Sequence, residues 1–197
     1  PSNLFPTQEA LGRFIASDER LSLQINETGK EVTLRGDESL ATRRAQQRGL
    51  ATHRLAEADR FLRDLGRLCP WIEVAGVSGS TAYGSARVSD DIDFFFVTRR
   101  HRLWATLLVS LSIAKLKRNR STNAPIYCFN RLIERPTCEQ TFRERRGPLF
   151  AREALSLVVL RGKDLYVELL ESAAWMGEFF PGLYASRAGA SDRSMSV

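Results

Sequence analysis

Two aspartates one residue apart, Asp91 and Asp93, follow a Gly79-Ser80-Thr81 segment, with positions 81–90 between Ser80 and Asp91. Alternate residues of a strand point to the same side, so Asp91-Ile92-Asp93 would present two carboxylates together while Ile92 enters a core. Two like charges held side by side are costly without a cation, and carboxylate oxygens are the ligands Mg²⁺ takes. Gly79 allows close backbone approach to a phosphate, Ser80 offers a hydroxyl and an N–H at a helix start, and Thr81 adds a second hydroxyl. Together these residue types suit a metal and triphosphate site. Asp90 breaks the alternation and is expected to face solvent or cap the loop. An Asp-x-Asp or a Gly-Ser alone is uninformative; apolar strand, Gly-Ser, fixed spacing, Asp-x-Asp and a second apolar strand form a far more specific combination.

The elements that must hold these groups are readable on both sides. Ile72 to Ser78 reads as the strand entering the Gly-Ser turn, and Phe94-Phe-Phe-Val97 reads as a strand buried on both faces, with the acidic pair at its rim. Upstream, a long helix is expected from a cap at Asp37 or Ser39 to about Leu68, with an interruption possible at Gly49. Ala51, Leu55, Ala58, Leu62 and Leu65 alternate at spacings of four and three, one apolar stripe, and Pro70 stops the helix. His53 on this helix has no ligand cluster at metal spacing and is expected to be a surface or satisfied histidine. Before it, Thr7 is a candidate N-cap for a helix over residues 8–16, Leu21 to Ile25 alternates as a strand, residues 26–30 carry turn chemistry, and Glu31 to Leu34 alternates again. Downstream, Ala105 to Leu116 is apolar nearly all round and reads as a buried helix ending in basic residues that suit its C-terminus. A short strand is expected over residues 125–130. Helices are expected over Pro148 to Leu160 and Lys163 to Phe180, followed by a tail over 186–197 rich in Ser, Ala and Gly.

Composition sets the bounds. The 197 residues suffice for one sizeable core or a catalytic domain with a small appendage. Apolar residues make up 43% and charged residues 26%, and no apolar run approaches the ~20 residues of a bilayer span. A soluble, cytoplasmic protein is the expectation. The formal charge of +6 suits polyanionic ligands, although most of the arginines read as solvated helix faces. Cys69, Cys128 and Cys138 lack close pairing, which points to small buried hydrophobes rather than disulfides or a zinc site.

From Val77 through Thr98 the sequence resembles the signature of the polymerase-beta-type nucleotidyltransferase superfamily. It is similar in particular to prokaryotic nucleotidyltransferase-domain proteins in which a winged-helix-like segment precedes the catalytic domain. Arg102-Leu-Trp104, Tyr127-Cys-Phe-Asn130 and Ala173-Ala-Trp-Met176 with Phe180-Pro181 fit the same subgroup. The resemblance implies an α+β fold: a nucleotidyltransferase-like mixed sheet flanked by helices, with a C-terminal helical part and a small N-terminal helix plus β-hairpin. The corresponding division is 1–36 as appendage, 37–140 as catalytic core, 141–185 as helical part and 186–197 as tail.

It also implies transfer of a nucleoside monophosphate from an NTP to an acceptor with release of pyrophosphate, dependent on Mg²⁺ or Mn²⁺. Asp91 and Asp93 would hold the metal, and Gly79, Ser80 and Thr81 the phosphates. The acceptor is open among RNA, protein and small molecules. The superfamily usually brings a third acidic residue from a later strand, and residues 126–130 contain none. Glu134 is the nearest candidate and Glu139 the next, with Asn130 a neutral substitute. Arg99, Arg100 and Arg102 are phosphate candidates, although a basic helix start explains each. A catalytically reduced nucleotide-binding or DNA-associated module is the alternative, and a DxD glycosyltransferase a more distant one, since a sugar-nucleotide site does not need the Gly-Ser loop.

Overall fold

The computed structural model describes residues 8–28, 31–37, 39–120 and 125–189. Thr7 and residues 190–197 of the expected tail therefore lie outside the described residues, as do positions 29 and 30 of the expected turn. The chain divides into two compact units, Pro1–Arg48 and Gly49–Val197.

The first unit contains helices α1 (Gln8–Ser17) and α2 (Glu19–Gln24), then strands β1 (Ile25–Thr28) and β2 (Glu31–Leu34), paired antiparallel from Ile25↔Leu34 to Thr28↔Glu31. A helix and hairpin were expected here, but the first strand begins four residues later than the alternation at Leu21 suggests. The reason is local: Asp18 accepts from the backbone N–H of Arg20 and Leu21 at 3.0 and 3.1 Å. That N-cap satisfies two orphan donors and commits Glu19–Gln24 to a helical turn.

Helix α3 (Ser39–Leu68) runs without a break through Gly49. Within the second unit it buries Ala51, Ala58, Phe61, Leu62 and Leu65, the expected stripe with Phe61 added and Leu55 only half-buried. The strands that follow are β3 (Ile72–Val77), β4 (Ile92–Thr98), β5 (Tyr127–Glu134) and β6 (Val158–Arg161), in spatial order β5-β4-β3-β6. Strand β4 is antiparallel to β3 and parallel to β5, and β6 is antiparallel to β3. The sheet is therefore mixed. Between strands lie α4 (Gly79–Ala82), α5 (Leu103–Arg120), α6 (Arg135–Arg143) and α7 (Pro148–Ser156); after β6 come α8 (Lys163–Glu171), α9 (Met176–Phe179) and α10 (Pro181–Ala188). A mixed sheet flanked by helices is compatible with the α+β class.

Strand alternation divides the core into two clusters. Ile92, Phe94 and Phe96 face one side, packed with Phe61 and Leu65 of α3. The rings of Phe61, Phe94, Tyr127 and Phe129 approach at centroid distances from 4.5 to 6.0 Å. Val74, Phe95 and Val97 face the other side and meet Phe142, Leu155, Leu157, Tyr166, Leu170 and Met176 from the C-terminal helices. Each such side chain contributes ~1.5–3 kcal/mol on full burial, so the sheet is clamped from both faces.

Several expectations are corrected. The helix expected through Leu160 ends at Ser156, and Val158–Arg161 instead forms the edge strand β6. Gly76 makes room for it: a Cβ there would lie 2.9 Å from the Val158 carbonyl oxygen. The single helix expected from Lys163 to Phe180 is two, separated at residues 172–175, and α10 continues to Ala188 into the segment expected as tail. Residues of the C-terminal helices share a core with β3 and β4. Helix α5 is not buried all round. Its buried residues are Thr106 and Ser110, while Trp104, Leu108 and Leu111 are exposed, at 77%, 67% and 51%. No described helix is long and apolar enough to cross a membrane.

Candidate metal and nucleotide site

The site lies where three strand ends coincide. Because β3 and β4 are antiparallel, the end of β3 at Val77 sits beside the start of β4, with Val77 opposite Phe94. Because β5 runs parallel to β4, its start also arrives there, with Ile92 opposite Tyr127 and Asp93 opposite Cys128. The backbone closes this corner: Ser78 N–H donates to the Asp93 carbonyl at 2.9 Å, and Ile92 N–H to the Ile126 carbonyl at 2.8 Å.

Asp91 and Asp93 share one side, as their spacing requires, and Ile92 is fully buried on the other. One carboxylate oxygen of each and the Cys128 Sγ all lie within 4.8 Å of one another. Cys128 thus occupies the position on the neighbouring strand where the third acid was sought. It is half-buried, unlike Cys69 and Cys138, which are buried as expected. Burial, followed by the charge of Asp91 and a hydrogen bond to it, pushes the Cys128 thiol up to about 11. Its reading as a small buried hydrophobe is corrected accordingly.

The other candidates for the third acid are displaced. Glu134 is paired with Thr98 at the opposite end of β4 and accepts from the His101 N–H at 2.8 Å. Glu139 lies on α6 and takes the Arg135 Nε at 2.8 Å. The Asn130 side chain lies outside the described residues. Arg99 pairs with Glu73 near the far end of β3, and Arg102 lies over the Trp71 ring. Arg100 is exposed in the turn after β4, so none of the three is placed at the Asp91–Asp93 end. His53 is an exposed residue of α3, as expected.

The Gly-Ser turn opens on the same corner. Gly79 has φ +65°, and a Cβ there would collide with Asp93 Oδ2. Glycine is therefore required both for the left-handed backbone and for the space. Ser80 bonds Asp90 through its side chain, and Asp90 also accepts the Arg87 N–H at 2.9 Å. The backbone bond from Arg87, then the Ser80 bond, holds the Asp90 carboxyl below its ordinary range. Asp90 caps the loop, one of its two expected roles. Thr81 is 2% exposed and its hydroxyl is buried without a hydrogen-bond partner, so it does not present a phosphate donor at the surface. Of the three residues expected to hold phosphate, Thr81 is thus the one placed in the interior.

Two arginines and a glutamate escaped the sequence reading. Arg54 of α3 is 6% exposed, and its guanidinium donates to the carbonyls of Arg87 at 2.7 Å, Val88 at 3.1 Å and Asp91 at 3.4 Å. It fastens the loop that delivers Asp91. Arg131 reaches the site face because β5 changes phase between Cys128 and Arg131, where the register shifts against Asp93 and Phe95. A strict two-residue alternation from Cys128 would have placed it on the opposite face. Arg131 lines a cleft of about 450 Å³ with Ser78, Gly79, Asp93 and Glu153, its apolar wall including Phe95 and Phe150. Glu153 also accepts the Tyr83 hydroxyl at 2.6 Å. Such a volume, mostly apolar with a few convergent polar groups, suits a small organic ligand.

The donor chemistry fits a divalent cation. Mg²⁺ is commonly held by one or two carboxylates together with substrate phosphates, a role Asp91 and Asp93 can fill. The thiol is the member of the set that Mg²⁺ does not ordinarily take. Compared with protein-family models, with curated proteins and with solved structures, the chain finds no match in any of the three.

Proposed function

We propose that this protein is a metal-dependent nucleotidyltransferase that binds an NTP at the Gly79 turn and passes its nucleoside monophosphate to an acceptor, releasing pyrophosphate. The observation that carries the reading is the convergence of Asp91 and Asp93 opposite a left-handed Gly79, beside a cleft of nucleoside size. Asp91 and Asp93 hold the cation, which supplies neutralisation of phosphate charge when bound. The Gly79 turn brings backbone to the phosphates, Arg131 adds a fixed positive charge, and Phe95 and Phe150 take the apolar face of the nucleoside. Glu153 is the one carboxylate besides Asp93 among the residues lining the cleft, and it is the candidate for accepting the acceptor's proton. The nucleotidyltransferase-like fold belongs to the same proposal.

A second reading has its own support. Cys128 stands where a third carboxylate was sought, which favours a protein that holds a nucleotide without transferring it. One experiment separates the two. The protein is incubated with α-labelled NTPs, with Mg²⁺ or Mn²⁺, and with RNA, protein or small-molecule acceptors, beside Asp91→Ala/Asp93→Ala and Glu153→Gln. Label transfer lost in the double variant and reduced at least ~10²-fold in Glu153→Gln, the usual scale of a general base, supports transfer. Metal-dependent NTP binding without transfer supports the second reading. Nucleotide affinity unchanged by the double variant refutes both.

A further inference from the structure

The chemistry of Cys128 sharpens the metal half of the function proposed above, on which this inference rests. Three ligand-bearing side chains from two adjacent strands converge here, and the strand register makes the convergence a built feature. Cys128 is the direct partner of Asp93 in the parallel β4–β5 pair, and Asp91 lies on the same side one alternation away. The three ligand atoms lie within 4.8 Å of one another, against about 3.3–3.8 Å between ligands 2.0–2.3 Å from a tetrahedral ion, so closing the set onto one centre takes a side-chain adjustment of about 1 Å. Alkaline-earth ions prefer oxygen throughout, whereas a thiolate selects zinc-class ions. The set is therefore mismatched to Mg²⁺ in one of its three positions.

We infer that Asp91, Asp93 and Cys128 form a three-ligand site for a zinc-class divalent cation, with Cys128 Sγ bound as thiolate. Ligation replaces the S–H bond by an S–metal bond, and the thiol proton passes to solvent. Three protein ligands leave a tetrahedral ion one open position, and the cleft at Asp93 provides the space beside it. The two remaining cysteines cannot substitute: Cys69 and Cys138 are 0% and 1% exposed and sit in the two core clusters.

The test uses the full chain and metal ions alone. Purified protein stripped with chelator is titrated with CoCl₂, reading the visible ligand-field bands and the near-ultraviolet thiolate-to-cobalt charge-transfer band. ZnCl₂ and MgCl₂ are then added as competitors. The expected result is one equivalent of Co²⁺ with a charge-transfer band, displaced by stoichiometric Zn²⁺ and not by a hundredfold excess of Mg²⁺. Cys128→Ser is expected to abolish that band and weaken Zn²⁺ at least ~10-fold, since even outer-shell partners of metal ligands cost 10–100-fold. Cys128→Asp, with an all-oxygen set, should shift preference toward Mg²⁺ and Mn²⁺. Circular dichroism of each variant distinguishes loss of a ligand from loss of fold. If Cys128→Ser unfolds, protection of Cys128 from alkylation by Zn²⁺ in the native protein decides the question.

Co²⁺ binding without the charge-transfer band, or an unchanged Zn²⁺ affinity in folded Cys128→Ser, overturns the thiolate site while leaving a carboxylate metal site and NTP binding intact. A thiolate-bound ion in a protein that binds no NTP upholds the inference and refutes the nucleotide reading.

Discussion

Replacing Arg54 with Met tests whether α3 positions the proposed metal site or merely packs beneath it. Met retains much of the apolar stem and removes the guanidinium, which bridges three carbonyls across residues 87–91 at 2.7, 3.1 and 3.4 Å. A hydrogen bond to a charged group contributes ~1.5–3 kcal/mol. Val88 is 90% exposed, so water can replace the guanidinium at that end of the loop, and the 3.4 Å bond is weak. The net cost is therefore about 2 kcal/mol rather than the sum of three bonds. For a chain of this size such a loss lowers Tm by about 4–8 °C. Urea unfolding should show a lower midpoint with an unchanged slope.

Freeing residues 87–91 also reaches the ligand set, because the Asp91 carbonyl is one of the anchored groups. Metal affinity should fall about 10-fold, the lower end of what loss of a partner behind a metal ligand costs. Arg54→Lys separates charge from geometry: a single ammonium cannot reproduce the planar fork, so it should behave much as Met does. Stability reduced with metal affinity intact would refute the positioning role. Unchanged stability would refute the energetic reasoning itself.

Gly79→Ala places a methyl against Asp93 Oδ2 at a residue with φ +65°; the backbone conformation costs ~1–2 kcal/mol, and titration calorimetry should show metal binding weakened at least ~10-fold as Asp93 moves aside. Leu108→Gln on the exposed face of α5, where Leu108 is 67% accessible, should change the unfolding free energy by no more than ~0.5 kcal/mol in urea denaturation; a loss near 3 kcal/mol would show that this face is buried. Asp64 bonds Lys117 at 2.7 Å, and that bond, largest among its influences, lowers the Asp64 pKa below 3.8. A depressed carboxylate stabilises the fold above its unfolded pKa and loses that contribution as pH falls through the folded value. The stability difference between wild type and Asp64→Asn should be constant at neutral pH and vanish on acidification below about pH 4, at no more than ~0.5 kcal/mol for so exposed a pair; a difference that grows in acid would reverse the sign.

The residues that met expectation are those governed by local rules. Asp91 and Asp93 face one way because strand side chains alternate, and Ile92 is buried between them for the same reason. The stripe on α3, the stop at Pro70 and the strands on either side of Gly79 follow from periods of 3.6 and 2 and from proline chemistry. Local periodicity misled where an element's environment was decided elsewhere. Val158–Arg161 is too short for its apolar run to distinguish strand from helix, and it becomes a strand because β3 has a free edge and Gly76 admits it. Helix α5 is apolar on many sides, yet the surface it covers meets Thr106 and Ser110.

The sequence by itself determined the carboxylate pair, the glycine turn before it and the strands that carry them, because each depends on backbone geometry over a few residues. Only the tertiary structure decided what completes the corner. Cys128 arrives through the parallel pairing of β4 with β5, Arg131 through a phase change within β5, Arg54 from a helix earlier in the chain, and Glu153 from a helix later in it. Pairing register and side-chain convergence depend on contacts between distant segments, and those contacts leave no periodic mark in any one of them.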